Sequence, residues 1–402
     1  MSIFGPPNVG KLVEKRDIKG LLKALSYPKD AEVRRKAAEA LGDIADPQAV
    51  GSLLIALKDE SAAVRAQAAS ALGSISDPRS LDMLIITLKD SEPSVRRATI
   101  WALHALGDAR GVEPLIQALN DPDTDVRFTA ASVLGELADA RAAAALAAAL
   151  NDPGSHIQSM AGEALGKIGG QAGDSLYRAA LQADASTRQA AAVGLEYLKE
   201  DKAQNQLAVM LADPDPNVRR SAAHSLGTGG LLVALRSPCE FLRECAAAEL
   251  ASLGKDTWND SFARTIVLSP IEKDEERGVR AKILLEASQA NSSVMLQVFQ
   301  VAQVFPWSAQ TSSSAAALVQ QIRNLGGDIF QAAAAGRALV PQVIEAMFGL
   351  TGLAEQSLPK DRQLRKLISE ARDEEAVAIF QNQTGAAVES ARLAIEGLRA
   401  AG

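Results

Sequence analysis

A two-residue motif, Val-Arg, recurs in equal steps at positions 33, 64, 95 and 126, and this repeat most constrains how the chain can fold. We call each copy of the motif an anchor. Seven copies of this two-residue anchor lie in nearly the same register, with one slip of a single residue: Val33-Arg34, Val64-Arg65, Val95-Arg96, Val126-Arg127, Ile157-Gln158, Thr187-Arg188 and Val218-Arg219. A leucine stands eight positions after every anchor, and glycine follows it in most copies. A period of this length is typical of stacked-repeat proteins, because one unit cannot bury its apolar face alone.

Each repeat is predicted to be a pair of helices. In the second helix, apolar residues stand at positions 0, +4, +7 and +8 from the anchor, which lie on one helical face. Asp-Pro pairs such as Asp46-Pro47 precede the first helix, since aspartate caps a helix start and proline suits its first turn. The sequence therefore predicts an all-α fold, an α-solenoid of about seven helical-hairpin repeats.

Composition narrows the class of protein further. The chain of 402 residues carries a formal net charge of −7, which argues against a general nucleic-acid binder. Only 4% of residues are aromatic, and the two cysteines, Cys239 and Cys245, lack zinc-site spacing. No continuously apolar stretch is long enough to cross a bilayer, and the first residues lack the pattern of a signal peptide. We therefore expect a cytoplasmic protein without membrane insertion.

The Val-Arg, Leu-Gly and Asp-Pro pattern resembles the HEAT repeat, in the short bacterial form first associated with phycobilisome lyases. The resemblance covers about residues 17–255. It divides the chain into a lead-in at 1–16, a repeat solenoid at 17–255 and a C-terminal helical domain at 256–402. Because such arrays are mostly binding scaffolds and only occasionally enzymes, the resemblance implies a fold more than an activity.

An aspartate recurs six positions before the anchor arginine in several repeats. In HEAT arrays the matching residues form a ladder between neighbouring repeats, so the resemblance implies a structural role rather than catalysis. Arginine can pair with a carboxylate and loop carbonyls at once. The predicted ladder consists of Asp59, Arg65, Asp90, Arg96, Asp121, Arg127, Asp213 and Arg219.

The C-terminal region contains few charges, so its apolar side chains are expected to be buried against another part of the chain or against a partner. Residues 287–322 contain no charged side chain, and Val279-Arg280 resembles a degenerate anchor. This region could pack against the end of the solenoid, fold across its concave face, or form a dimer.

A search for chemistry in the sequence finds no catalytic pattern. The three histidines, His104, His156 and His224, lie in different repeats, and none begins a His-Glu pair. Deoxyhypusine hydroxylase, a HEAT-like iron enzyme, builds its metal site from such pairs, so that function is not expected here. HEAT-like DNA glycosylases present a basic groove, which the acidic balance does not favour. We expect no catalytic residue, no metal and no cofactor.

The second helices are expected to supply the binding surface. In HEAT-like arrays these helices line the concave face, and positions +2 and +6 point away from the core. Trp101 and Phe128 fall there in adjacent repeats, beside Arg97, and tryptophan and arginine are enriched at binding hot spots. The predicted partner-binding residues are Arg35, Arg97, Trp101, His104, Phe128, Arg220 and His224.

These residues favour a non-catalytic scaffold that docks a protein partner on its concave face. Two alternatives stay open, a chromophore-handling protein related to bilin lyases and a structural subunit that assembles through its C-terminal helices. The C-terminal region could also cover Trp101 and Phe128 itself.

The ladder is interrupted in the middle of the array. Gln158 stands where arginine belongs, and Gln182 stands where aspartate belongs. We hypothesise a weak joint near residues 151–190, against the alternative of simple sequence drift. Amide hydrogen exchange, followed by mass spectrometry, should then be faster in 151–190 than in the repeats before it. Equal or slower exchange there would count against a joint.

Overall fold

The computed structural model describes residues 6–256, 262–271, 274–305, 329–348, 350 and 361–400. Over these residues the secondary structure is helical and includes no β-strand, which confirms the all-α prediction. The chain divides into two compact units, Met1–Ala179 and Ala180–Gly402. This division falls within the repeat array, and the second unit holds late repeats together with the C-terminal helices.

The first unit is a succession of helical hairpins. Its helices are α1 (Val9–Glu14), α2 (Ile18–Leu25), α3 (Ala31–Ile44), α4 (Val50–Ala56), α5 (Ala62–Ile75), α6 (Leu81–Thr87), α7 (Pro93–Leu106), α8 (Val112–Ala118), α9 (Thr124–Leu137), α10 (Ala143–Ala149), α11 (Ser155–Ile168) and α12 (Gly170–Ala179). From α2 onward, each even-numbered helix is the first helix of a repeat and each odd-numbered helix is the second.

The Asp-Pro signal marks a short 3-10 turn that leads into the first helix. At the start of the second repeat this turn spans Pro47–Ala49, and Asp46 accepts a hydrogen bond from the backbone N–H of Gln48 at 2.8 Å. The equivalent Asp77 also binds the side chain of Arg79, and this hydrogen bond lowers the pKa of Asp77 to about 2. Asp77 therefore caps its turn in the ionised form.

The second unit continues the hairpins and then adds further helices. Its helices are α13 (Ala185–Leu198), α14 (Asp201–Met210), α15 (Pro216–Ala234), α16 (Glu240–Asp256), α17 (Phe262–Leu268), α18 (Asp274–Ala290), α19 (Ser292–Val304), α20 (Ile329–Phe348), α21 (Arg362–Ser369), α22 (Asp373–Thr384) and α23 (Val388–Ala400). Gly227, at φ 58° and ψ −178°, interrupts α15, so a second helix runs into the next first helix without a loop.

Because this loop is missing, an eighth anchor, Leu242-Arg243, lies out of register with the repeat in the sequence. On α16, the Nη1 of Arg243 donates to the carbonyl oxygens of Ser237 and Pro238, at 2.8 and 3.2 Å. Arg65 makes the same pair of contacts with its own preceding loop. The spacing from Val218 to Leu242 is shorter than the repeat period, which is why the sequence pattern fades there.

The last three helices pack onto the late repeats inside the second unit. Their buried residues, including Phe380, Ile395 and Leu398, share one core with Val209 and Phe241. The backbone N–H of Phe241 donates to Asp361 at 3.0 Å, and Asp361 donates its own N–H to Glu244 at 2.9 Å. Residues 361–400 are therefore packed against the late repeats of the same chain.

Buried ion pairs connect successive repeats through the anchor arginines. Five of these arginines pair with the aspartate that follows the first helix of the next repeat, at N–O distances of 2.6–2.7 Å: Arg34–Asp59, Arg65–Asp90, Arg96–Asp121, Arg127–Asp152 and Arg188–Asp213. The aspartate six positions before an arginine instead offers its backbone carbonyl, as Asp213 does to Arg219 at 2.7 Å. Each of the five paired arginines therefore connects its own loop to the next repeat.

The geometry of one pair shows why these contacts are strong. Arg65 donates from Nε and Nη2 to the two carboxylate oxygens of Asp90, at 2.7 and 2.8 Å. Burial by itself raises the pKa of Asp90, but hydrogen bonds from Arg65 and the backbone of Glu92 outweigh it, so this pKa is lowered. The carboxylate is thus held in its charged form beside a fixed guanidinium.

The ladder changes at the two glutamines. Gln158 is buried on α11, and its Oε1 finds no hydrogen-bond partner among the residues that the structure describes. The backbone carbonyl oxygen of Gln182 accepts a hydrogen bond from Arg188 at 2.9 Å, as the aspartates at this position do from their own anchor arginines. The proposed joint near 151–190 stays a prediction.

Asp121→Asn should destabilise the first unit by about 3 kcal/mol, because it leaves the guanidinium of Arg96 buried without a charged partner. Urea denaturation followed by circular dichroism measures this change. The matched control is Asp125→Asn, which breaks the exposed pair with Arg97 and should cost less than about 1 kcal/mol. Equal effects of the two substitutions would contradict a stabilising ladder.

Candidate functional site

A seam of very small residues brings the second helices of neighbouring repeats together. A Cβ atom added at Gly42 would lie 2.9 Å from the Cα of Ala71, and one at Gly73 would lie 2.8 Å from the Cα of Ala102. Gly135 meets Ala164 in the same way. Glycine follows the repeat leucine because any side chain there would collide with the next helix.

The third repeat departs from this seam. His104 stands at its glycine position, and Val133 stands at the facing position of the next repeat, where the other pairs have alanine. Val133 is fully buried on α9, while His104 is partly buried on α7. Two bulkier residues therefore replace the Gly–Ala contact between α7 and α9.

His104 connects an aromatic ring to a carboxylate. Its Nε2 lies 2.9 Å from an Oε2 of Glu136 on α9. Its ring contacts Trp101 edge to face, with the centroids 5.9 Å apart and an interplanar angle of 76°. These contacts fix the orientation of the tryptophan ring, because an edge-to-face pair is a preferred aromatic geometry.

Trp101 and Phe128 remain exposed on adjacent second helices. Their exposed fractions are 45% and 39%, which are high for large apolar side chains in a folded chain. Arg97, one turn before Trp101, pairs at 3.2 Å with Asp125, which lies one turn before Phe128. We call Arg97, Trp101, His104 and Phe128 the aromatic surface.

The structure distributes the other predicted contact residues more widely. Arg35 lies on α3, where it binds Glu32 and Glu39 of the same helix at 2.9 and 3.0 Å, so local carboxylates already neutralise its charge. Arg220 and His224 are exposed one turn apart on α15, within the second unit. Arg97, Trp101 and His104, in contrast, share one helix.

Sequence reasoning missed an apolar surface on the first helices. Ile55 on α4 and Ile86 on α6 are 76% and 61% exposed, and both stand nine positions before an anchor valine. The next two repeats have Gln117 and Ala148 at that position. Comparison of this position across the repeats would have revealed the two isoleucines.

Other kinds of site find little support in the described part of the chain. No group of three or more histidine, cysteine, aspartate or glutamate side chains is arranged there to hold a metal ion. The thiol of Cys239 is buried, and burial raises its pKa. None of the described helices combines the length and hydropathy that a bilayer crossing needs.

The comparison with protein families is decisive for the repeat. The model of HEAT repeats matches residues 18–104, 83–166, 112–193 and 174–253. The chain belongs to the HEAT-repeat family. A comparison with curated protein sequences finds no significant match.

Several solved structures resemble this HEAT-repeat chain. Human deoxyhypusine hydroxylase in complex with glycerol is 27% identical, over 61% of this chain and 98% of that one, with a TM-score of 0.29. The complex of CpcE and CpcF of phycocyanin lyase from Nostoc sp. PCC7120 is 24% identical, over 62% and 91%, with a TM-score of 0.34. An engineered protein is 17% identical, over 96% and 98%, with a TM-score of 0.34.

Gly73→Ala should destabilise the HEAT-repeat array by about 1–3 kcal/mol, because the added methyl group overlaps the backbone of α7. Gly51→Ala is the matched control, since a Cβ there meets no atom within 4 Å. That change should stabilise α4 by about 0.5–1 kcal/mol through helix propensity. Thermal unfolding distinguishes the two, and a Gly73→Ala protein as stable as the wild type would disprove the close seam.

Proposed function

We propose that this HEAT-repeat chain is a non-catalytic scaffold that binds a protein partner on the second helices of its first unit. The observation that carries the proposal is the exposure of Trp101 and Phe128 on neighbouring helices, beside Arg97. Large aromatic side chains and arginine supply most of the binding energy in many protein interfaces. HEAT solenoids generally bind protein partners, which agrees with this use of the surface.

The aromatic surface is held in place before any partner arrives. Trp101 is oriented by His104, which Glu136 in turn holds from the adjacent helix. On the same two helices, α7 and α9, the anchor pairs of Arg96 and Arg127 fix each helix relative to the next repeat. A site ordered in advance loses less conformational entropy on binding.

The substitution in the third repeat supports the same location. His104 and Val133 replace a contact that is made by glycine and alanine between other pairs of second helices. The interface between α7 and α9 therefore carries larger side chains than the interfaces beside it. Regular interfaces serve packing, whereas this one adds an aromatic, a cationic and an anionic group to the exposed surface. We propose that this difference provides specificity for the partner.

The test is affinity capture from lysate of the native host. The wild type is compared with Trp101→Ala/Phe128→Ala, with an absorbance spectrum of every eluate. We expect one partner that the variant loses by at least about 30-fold in affinity, as removal of two hot-spot residues predicts. The melting temperature should be nearly unchanged, since both side chains are exposed.

The matched control is Ile55→Ala/Ile86→Ala, which removes exposed apolar side chains from the first helices and should keep that partner. A bound pigment without a protein partner would replace the scaffold proposal by the bilin-lyase alternative. A large fall in melting temperature for Trp101→Ala/Phe128→Ala would show that these rings serve folding rather than docking.

A further inference from the structure

The second unit shows how a helix can be seated on a first helix of this array. Helix α23 lies on α14, and its residues Ser390, Leu393 and Ala394 line a small cavity of about 10 Å³ against the repeat. The repeat side of this contact consists of Ala180, Gln206, Val209, Met210 and Asp213.

The first unit has the same five repeat positions in an open groove. Counting back from the anchors Val33 and Val64, as from Thr187 and Val218, gives Ser26, Ser52, Ile55, Ala56 and Asp59. All five line one groove of about 940 Å³ between α2 and α4. We call it the first-helix groove.

The clearest contrast is at the position nine places before the anchor. Val209 is 6% exposed because the C-terminal helices cover it, whereas Ile55 at the equivalent position is 76% exposed. The same repeat position is therefore covered by a helix in the second unit and is left open to solvent in the first.

We infer that the first-helix groove binds an amphipathic helix of a partner protein, seated as α23 is seated on α14. The geometry requires small side chains at the centre of the contact face. In α23 this requirement appears at Gly397, where a Cβ would overlap the carbonyl oxygen of Ala212. The partner helix therefore needs serine, alanine or glycine one turn apart, flanked by leucine or isoleucine.

Charge at the rim of the groove restricts the partner further. The position of Ala212 is occupied in the second repeat by Lys58, an exposed residue that lines the groove. Glu60 lines the same groove and pairs with Arg34 at 3.2 Å, so Lys58 is the group through which the rim can attract a carboxylate on the incoming helix. Helix α23 itself carries the exposed Glu396 next to Gly397, so its sequence is a suitable probe for this site.

The groove is distinct from the aromatic surface. It is formed by first helices of the opening repeats, while Trp101 and Phe128 lie on second helices of later ones. The two proposals consequently fail or succeed separately.

The probe is a synthetic fluorescent peptide of residues 386–400, kept helical by a hydrocarbon staple joining the exposed positions 392 and 399. Anisotropy is measured against the full chain. We expect saturable binding, weakened at least tenfold by Ile55→Asp in the chain and by Gly397→Leu in the peptide. Trp101→Ala/Phe128→Ala should leave the binding unchanged. Because Ile55 is exposed, its substitution should keep the melting temperature.

A photoreactive leucine at position 393 of the peptide maps the site. Cross-links to residues 52–60 support the inference, and cross-links confined to 201–213 overturn it, since they would indicate exchange with the chain's own helix. Absence of saturable binding, or binding that survives Ile55→Asp, also overturns it. A full-length dimer that Ile55→Asp abolishes would identify a second copy, rather than another protein, as the occupant.

Discussion

The bidentate pair between an anchor arginine and the aspartate of the next repeat is the interaction on which this array depends. A single guanidinium, such as that of Arg96, binds a carboxylate across the repeat boundary and two carbonyls of its own loop. The loop and the neighbouring repeat are thereby fixed by one side chain. Since both charges are nearly buried, each satisfies the other, and loss of either would leave an unpaired charge in the interior.

The close seam of the second helices adds a steric condition to this electrostatic one. Gly73 can approach Ala102 only because neither side chain occupies the space between the two backbones. Where the chain departs from that condition, at His104 and Val133, it also places exposed aromatic side chains. The repeated Gly–Ala contacts hold the second helices in a rigid array. The interface between α7 and α9, which lacks this contact, carries the side chains proposed to bind a partner.

The first helices show that identical repeat positions can have opposite environments. Val209 is buried under the C-terminal helices, while Ile55 faces solvent. Nothing in the identity of the two β-branched side chains distinguishes them. The difference arises because α21, α22 and α23 fold back onto the late repeats, with Asp361 and Glu244 joining the two segments by hydrogen bonds.

The sequence by itself determined the repeat, the helical hairpins and the all-α class, because a regular short period with apolar positions on one helical face permits little else. It also placed Trp101 and Phe128 on adjacent second helices. The eighth anchor at Arg243 escaped detection, since a shortened connection at Gly227 moves it out of register. Only the tertiary structure decided that Arg34 pairs with Asp59, that Glu136 holds His104, and that Val209 is covered while Ile55 is not. These outcomes depend on contacts between residues far apart in the chain, which a local pattern does not contain.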